Sequence, residues 1–245
     1  MYGYVFDSFV QDGRFRAESQ RIESRLVTLG IQGRQEKMTI LKNLVETCQA
    51  MIKRGVDTLV VVGNDETVLK VLPLVVESNV ALGIIPLGDH QRVAEALGIP
   101  TGVSACDVLS RRVMRRVDLG RAGAAYFLLD ALLPDGSSVT CDDTYTISTH
   151  VHGSTMRILN LLDQRPGSHP DDGALTVVVE QHKRGGLWHH ETERSFFSVK
   201  KAEVRSARHN EMVVLDGQLV HKTPLVISVE PKKLHMIVGR ERQFD

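Results

Sequence analysis

The sequence predicts an α/β protein in two parts, an N-terminal parallel α/β domain over residues 1–118 and an antiparallel β-sandwich domain over residues 119–245. Two observations favour this division. In the first hundred residues, short apolar runs alternate with helical patterns, which is typical of a parallel sheet covered by helices. From Tyr126 onward, short apolar segments follow one another between turns, which is typical of an antiparallel sandwich or barrel.

The first part holds three strand-to-helix units. Short β-branched runs indicate strands, and apolar residues that recur every three or four positions indicate helices. The run at 57–63 lacks polar alternation, so we expect that strand to be buried on both faces. In chain order, the predicted elements are a strand over residues 2–6, a helix over 15–29, a helix over 41–54, a strand over 57–63, a helix over 67–76 and a strand over 81–85.

The second part consists of apolar segments separated by Asp-Gly and Pro turns. Their regular spacing predicts antiparallel pairing through hairpins. The segments cover residues 126–134, 144–149, 156–162, 175–181, 196–204, 211–217, 225–231 and 234–239.

Composition excludes several classes of protein. The 245 residues carry no net charge and only 5% aromatic side chains, which disfavours a general nucleic-acid binder. The three cysteines lack a Cys-x-x-Cys pair, so we expect a cytoplasmic protein without disulfides. The apolar runs are far shorter than the roughly 20 residues that span a bilayer, so we expect at most peripheral membrane contact.

The first candidate site follows the buried strand 57–63. A parallel strand that ends in glycine and enters a helix presents backbone N–H groups and the positive end of a helix dipole, which together favour anions. The alternative is a structural turn in which Asp65 caps the helix. The candidate residues are Gly63, Asn64, Asp65, Glu66 and Thr67.

A second candidate turn follows the strand at 81–85 and contains Gly88. It lies beside the first turn if both strands are neighbours in a parallel sheet, and two such turns can hold a nucleotide between them. The alternative is that Gly88 and Asp89 only start the next helix.

Together the two turns resemble the signatures of the diacylglycerol kinase catalytic-domain family, lipid kinases related to sphingosine kinase and more distantly to NAD kinase. The family motif Gly-Gly-Asp-Gly-Thr corresponds here to Gly-Asn-Asp-Glu-Thr at residues 63–67. The motif Pro-x-Gly-Thr-x-Asn-Asp corresponds to Pro-Leu-Gly-Asp-His-Gln-Arg at 86–92, in which the Thr and the Asn-Asp pair are replaced, and Leu-Gly-Ile-Pro follows at 97–100. Later segments at 117–120 and 172–173, and the Asp-Gly-Gln turn at 216–218, keep the family order. The resemblance therefore covers almost the whole chain.

The resemblance implies that ATP and Mg²⁺ bind in a cleft between the domains and that a lipid hydroxyl accepts the phosphoryl group. Gly63, Asp65 and Thr67 match the phosphate motif, and Gly88 matches the second motif. Asp216 matches the aspartate that deprotonates the acceptor hydroxyl, a role that phosphoryl transfer requires of a nearby base.

The departures from the family pattern fall on the same motifs. Asn64 and Glu66 replace glycines that let the backbone approach phosphates, often at positive φ, and Glu66 adds a carboxylate. Gln218 replaces the glutamate of Asp-Gly-Glu, and Asp7 with its neighbours replaces an opening Asn-Pro. We therefore expect a catalytically degenerate protein that acts by binding a nucleotide, a phospholipid or a partner. The alternative is an active ATP-dependent lipid kinase with a variant phosphate loop.

Two other features do not by themselves indicate a functional site. His150 with His152, and His189 with His190, lack metal-site spacing, so we expect no metal there. Residues 111–121 hold five arginines against one aspartate, which predicts either a solvated, salt-bridged surface or a contact for anionic lipid or phosphate.

Overall fold

The computed structural model describes residues 1–149, 154–162, 169–185, 189–240 and 242, without the side chains of 182–185 and 189–191. The chain divides into two units. Unit 1 comprises Met1–Val117 and Lys233–Asp245, and unit 2 comprises Asp118–Lys232. The predicted α/β domain ended one residue later, at 118, and the predicted β domain included the C-terminal segment that the structure assigns to unit 1.

Unit 1 contains a parallel sheet and five α-helices in the described residues. The strands lie in the order β2-β1-β3-β4, and the end of the last strand of the chain adds Met236 beside Leu82 in parallel. Its elements are β1 (Tyr2–Phe6), a 3-10 turn (Ser8–Gln11), α1 (Gly13–Thr28), β2 (Arg34–Lys37), α2 (Leu44–Lys53), β3 (Thr58–Gly63), α3 (Asp65–Ser78), β4 (Ala81–Pro86), α4 (Arg92–Ala96), a 3-10 turn (Gly102–Ser104) and α5 (Ala105–Arg111).

The central strands are fully buried, as their apolar sequences predict. Every residue of β3 and β4 is buried. The edge strand β2 was not predicted, because its sequence Arg-Gln-Glu-Lys has no apolar residue. It forms through backbone pairing with β1, and its side chains are largely exposed, as an edge strand tolerates.

Unit 2 is a sandwich of antiparallel strands. One sheet has the order β12-β11-β10-β7-β14-β15, and the strands β16-β13-β8-β9 pair in a second. The elements are β5 (Met114–Ala122), which begins in unit 1, β6 (Ala125–Phe127), β7 (Asp130–Leu132), β8 (Ser138–Cys141), β9 (Tyr145–Ser148), β10 (Ser154–Leu159), β11 (Leu175–Gly185), β12 (His189–Val199), β13 (Lys201–Arg205), β14 (Met212–Leu215), β15 (Leu219–Lys222) and β16 (Leu225–Ile237).

The two sheets of unit 2 share one apolar core. Met156 and Val177 of one sheet pack in the same cluster as Phe127, Val204 and Ile227 of the other, so inward-facing residues of both sheets meet. The predicted mixed fold, a parallel α/β part followed by an antiparallel sandwich, is confirmed.

The last two predicted segments form a single strand, β16. The sequence Glu-Pro-Lys-Lys between them suggests a turn, but the chain stays extended there apart from Lys232, which has a φ of 51°. The Lys232 N–H donates to the Asp118 carboxylate at 2.6 Å, so the Asp118 side chain satisfies the backbone donor at this irregular position. Beyond it, Met236, Ile237 and Val238 are buried, which explains why the segment belongs to unit 1.

Candidate functional site

The two predicted turns meet at the carboxyl edge of the parallel sheet. Asp7 follows β1, Gly63 ends β3, and Leu87 follows β4. The Asp7 N–H donates to the Val62 carbonyl at 3.0 Å, and the Leu87 N–H donates to the Gly63 carbonyl at 2.8 Å. Open α/β sheets bind ligands at this edge.

Gly63 permits a close approach between the end of β3 and the first turn of α3. A Cβ at this position would lie 2.6 Å from Thr67 Oγ1 and 3.3 Å from the Asp7 Cβ. Asn64 is the N-cap of α3, because its Oδ1 accepts a hydrogen bond from the Thr67 N–H at 3.2 Å. The capping residue is therefore Asn64 and not Asp65.

Asp65 joins the two turns. Its carboxylate is buried and accepts hydrogen bonds from the Arg92 N–H at 2.9 Å and the Val93 N–H at 3.1 Å, where α4 begins. Its own N–H donates to the His90 carbonyl at 2.9 Å. Burial raises the pKa of the Asp65 carboxyl, and the two backbone bonds oppose that rise.

Asp7 also contacts the turn at 63–67, although the sequence analysis treated it only as a departure from the family motif. The Thr67 hydroxyl donates to Asp7 Oδ2 at 2.6 Å, and Asp7 Oδ1 accepts from the Ser8 hydroxyl at 3.1 Å. The available signal was an acidic residue directly after a buried strand, at the edge where ligands bind. Half-buried Asp7 therefore places a carboxylate beside the first turn of α3.

The residues that replace motif glycines adopt ordinary backbone conformations. Asn64 has a φ of −113°, and Glu66 lies in the first turn of α3 without a positive φ. This backbone therefore does not require glycine at either position. Glu66 is exposed and pairs with Lys70 Nζ at 2.7 Å, one helical turn further on.

Gly88 occupies a position that requires glycine. Its φ is 80°, and a Cβ would lie 3.0 Å from the Phe9 ring. Gln91 Nε2 donates to the Gly88 carbonyl at 2.5 Å. Because α4 begins at Arg92 and Asp89 is exposed, the alternative that Gly88 and Asp89 start the helix is wrong.

A cavity of about 370 Å³ adjoins this edge within unit 1. Its wall combines Asp7 and Ser8, which follow β1, and Lys70 of α3 with the segment that leads into α2. The lining residues are Asp7, Ser8, Met38, Thr39, Ile40, Lys42, Asn43, Leu44, Val45 and Lys70. The volume is at the lower end of the range for small-molecule sites.

Asp216 lies in unit 2, after β14. It has a φ of 53° and a relative exposure of 4%, and its two carboxylate oxygens accept three backbone N–H groups. These belong to Leu128 at 2.8 Å, Leu129 at 2.7 Å and Asp130 at 3.0 Å. Burial raises the pKa of Asp216 to about 6 in spite of these bonds. Its role as a base stays a prediction. Its hydrogen bonds hold Leu128 and Leu129, which precede β7, and Asp130, which begins it.

Asp118 connects two further motif segments of unit 2. Its buried carboxylate accepts the Gly173 N–H at 2.6 Å in addition to that of Lys232. The motifs at 117–120 and 172–173, which lie far apart in sequence, therefore meet through one side chain. Burial also raises the pKa of Asp118.

The described residues contain no cluster of three or more His, Cys, Asp or Glu side chains arranged to hold a metal. His150 and His152 lie outside the described residues, and of His189 and His190 only the backbone, in β12, is described. Within the described ranges, none of the helices combines the length and apolar character that a membrane crossing requires.

Comparison with known proteins gives three findings. Residues 8–122 match the family model of the diacylglycerol kinase catalytic domain. A diacylglycerol kinase of Staphylococcus saprophyticus is 35% identical over 80 residues, which is 31% of this chain and 26% of that protein. The match thus spans about a quarter of the length of this relative.

The solved structures extend the likeness to the whole fold. The crystal structure of a diacylglycerol kinase from Bacillus anthracis aligns with a TM-score of 0.79 at 16% identity, over 98% of this chain and 97% of that one. A second structure from that organism gives 0.80 at 17% identity, over 98% and 97%. These likenesses show the fold, and the resemblance to diacylglycerol kinases is confirmed, because residues 8–122 match the catalytic-domain model of that family.

Proposed function

We propose that this chain is a catalytically degenerate member of the family, which binds a nucleotide, a phospholipid or a protein partner and transfers phosphate weakly or not at all. The observation that supports this proposal is the first turn of α3, where Thr67 already donates its hydrogen bonds to protein groups and where carboxylates lie close by.

A helix N-terminus binds phosphate through its free N–H groups and its positive dipole. In this chain Asn64 Oδ1 accepts the Thr67 N–H, and Asp7 accepts the Thr67 hydroxyl. The exposed carboxylate of Glu66 lies in the same turn. Two unit charges 4 Å apart near a protein surface interact by about 4 kcal/mol, so the Asp7 carboxylate opposes a polyphosphate, and Lys70, which pairs with Glu66, is not free to offset it. The residues present therefore do not fit a triphosphate at this turn.

The residues expected to act on the acceptor hydroxyl also support weak or absent phosphoryl transfer. Both carboxylate oxygens of Asp216 are engaged by backbone N–H groups, and Gln218 replaces an acidic residue with a neutral amide. Phosphoryl transfer depends on a positioned base and on charge neutralisation around the phosphates. Weakening of both features supports binding without efficient transfer.

The 370 Å³ cavity is the candidate binding site in this proposal. Its apolar wall, which includes Met38, Ile40 and Val45, suits a nucleoside-sized ligand. Its two lysines already pair with Glu36 and Glu66, at 3.0 and 2.7 Å. We therefore expect adenosine to bind at least as tightly as magnesium-ATP.

Calorimetric titration with adenosine and with magnesium-ATP tests this ranking. The double variant Asn64→Gly/Glu66→Gly removes one carboxylate and the capping amide, so we expect it to bind magnesium-ATP about tenfold more tightly. Glu77→Gly, at the opposite end of α3, removes the same charge and serves as the matched control. An unchanged dissociation constant in the double variant would show that the turn does not face a phosphate.

The alternative is an active lipid kinase, favoured by the retained geometry at Gly63 and Gly88 and by the presence of Asp216. It predicts transfer of labelled phosphate from ATP to diacylglycerol in mixed vesicles with Mg²⁺. Transfer that is lost in Asp216→Ala, in a variant that still folds, would overturn the degenerate interpretation.

A further inference from the structure

Unit 1 contains a second, separate cavity of about 660 Å³. It lies beside the Leu-Gly-Ile-Pro segment, a motif for which the proposed function gives no role. The lining residues are Glu95, Gly98, Ile99, Pro100, Ser104, Asp107, Val108, Arg111 and Arg240. Buried Ile99 and Val108 contribute apolar surface, and the remaining wall is mostly polar.

Two arginines of this wall have no acidic partner among the described residues. Arg111 ends α5, Arg240 follows β16, and both are exposed. Two other arginines of residues 111–121 have partners: Arg112 contacts the Thr58 hydroxyl at 3.2 Å, and Arg121 contacts Glu230 at 3.1 Å. Two guanidinium groups that line one cavity without ion-pair partners favour an anion there.

The acidic residues of the wall only partly offset this charge. Asp107 pairs with Arg25 at 2.6 Å and is thereby neutralised. Glu95 has no ion pair among the described residues, which leaves two free arginines against one free carboxylate. Ser104 adds a hydroxyl that makes no capping bond to α5 and is available as a donor.

The position of Arg240 is fixed by the backbone before it. The Gly239 N–H donates to the Leu97 carbonyl at 2.8 Å, and the Val238 N–H donates to the Val113 carbonyl at 3.0 Å. A Cβ on Gly239 would lie only 1.6 Å from the Gly98 carbonyl oxygen. This contact between two glycines sets Arg240 beside the Leu-Gly-Ile-Pro segment, so the cavity brings Arg240 together with residues of the stretch 95–111.

We propose that this cavity is a binding site for a phosphate-bearing ligand, held by Arg111 and Arg240 with Ser104 as an additional donor. The planar guanidinium group matches phosphate oxygens in a bidentate geometry, and two of them suit a dianion. The site is separate from the turn at 63–67 and binds without a nucleotide. A soluble phosphate monoester and the headgroup of an anionic phospholipid present the same chemistry.

The test measures binding of two probes to the full chain in the absence of nucleotide. Glycerol 3-phosphate is titrated by calorimetry, and vesicles of phosphatidylcholine with or without phosphatidic acid are tested by flotation. We expect the double variant Arg111→Gln/Arg240→Gln to lose at least about tenfold in affinity for the probe that binds, since charge-assisted hydrogen bonds are lost. The matched control is Arg16→Gln/Arg54→Gln, which removes two exposed arginines of unit 1 that do not line the cavity.

The outcomes separate the sources of the phosphate. Glycerol 3-phosphate binding that only the cavity variant loses supports a soluble ligand, and phosphatidic acid vesicle binding that only this variant loses supports a lipid headgroup. Equal losses in the control, or no binding of either probe, overturn the proposal. Thermal unfolding of each variant checks that a loss is not caused by misfolding.

Discussion

At the scale of single residues, Asp65 shows how a motif aspartate can stabilise the architecture of a site. Its carboxylate lies inward, 2.9 and 3.1 Å from the first two N–H groups of α4, whereas its neighbour Glu66 faces solvent. Motif matching located both residues but did not give their directions. These depend on where α3 begins, and Asn64 sets that position by capping the helix.

Replacing Asp65 therefore destabilises the fold. Asp65→Ala leaves two backbone N–H groups without their acceptor in a buried position, and each such loss costs about 1–3 kcal/mol. We expect the free energy of unfolding, measured with urea, to fall by roughly 2–4 kcal/mol. Glu66→Ala, one residue along, removes only an exposed ion pair and is expected to change it by about 0.5 kcal/mol or less. Equal effects of the two changes would contradict this assignment.

Asp216 gives stability a dependence on pH. The pKa of its carboxyl is about 6 in the folded chain, above the value near 3.9 of an unperturbed aspartate. Between pH 4 and pH 6 the folded chain retains a proton that the unfolded chain has lost. This residue's contribution is therefore full below about pH 4 and is lost as the pH rises through about 6, by roughly 2–3 kcal/mol.

Asp216→Asn removes this titration. We expect the difference in unfolding free energy between the original chain and Asp216→Asn to change across pH 4–6 and to stay level above about pH 7. Urea unfolding at several pH values measures it, and the comparison cancels the titration of Asp118 and Asp65, which both chains share. A difference that is constant from pH 4 to pH 7 would show that Asp216 titrates normally.

At the scale of elements, apolar runs in the sequence predicted the buried strands. They did not predict the polar edge strand β2, which forms through backbone pairing with β1. The prediction located β1, β3 and β4 to within a residue or so, because strands buried on both faces need continuous apolar runs. It missed β2, whose polar side chains are compatible with an edge position. It divided β16 in two, since the contact between Lys232 and Asp118 has no local sequence signal.

Gly239 provides a test of how the end of the chain attaches to unit 1. Gly239→Ala places a methyl group against the Gly98 carbonyl, so we expect a loss of about 1–3 kcal/mol in unfolding free energy. Gly13→Ala is the matched control: its Cβ meets no atom within 4 Å at the start of α1, and we expect a gain of about 0.4–1 kcal/mol. If both changes have the same sign, the close contact between Gly239 and Gly98 does not hold in solution.

At the scale of the whole molecule, unit 1 is assembled from the two ends of the chain. The sequence analysis divided the chain after residue 118, where the alternation of helices and strands stops, and the first stretch of unit 1 ends at Val117. It did not detect the return of residues 233–245, because a short apolar run such as 234–239 fits a strand of either unit. The zero net charge did not indicate where charged patches lie, because the arginines and the aspartates cluster in different segments.

A chain that ends at residue 232 tests this assembly. The truncation removes buried Leu234, Met236, Ile237 and Val238 and the parallel partner of β4. At about 1.5–3 kcal/mol for each buried side chain, the loss is comparable with the roughly 5–15 kcal/mol of a whole domain. Because α1–α5 belong to unit 1, we expect circular dichroism to show loss of helix with retention of strand. A peptide of residues 233–245 added in trans should restore the helical signal, and the same peptide with Met236→Asp should not. A truncated chain that keeps its full helical signal and its unfolding midpoint would contradict the division of the molecule.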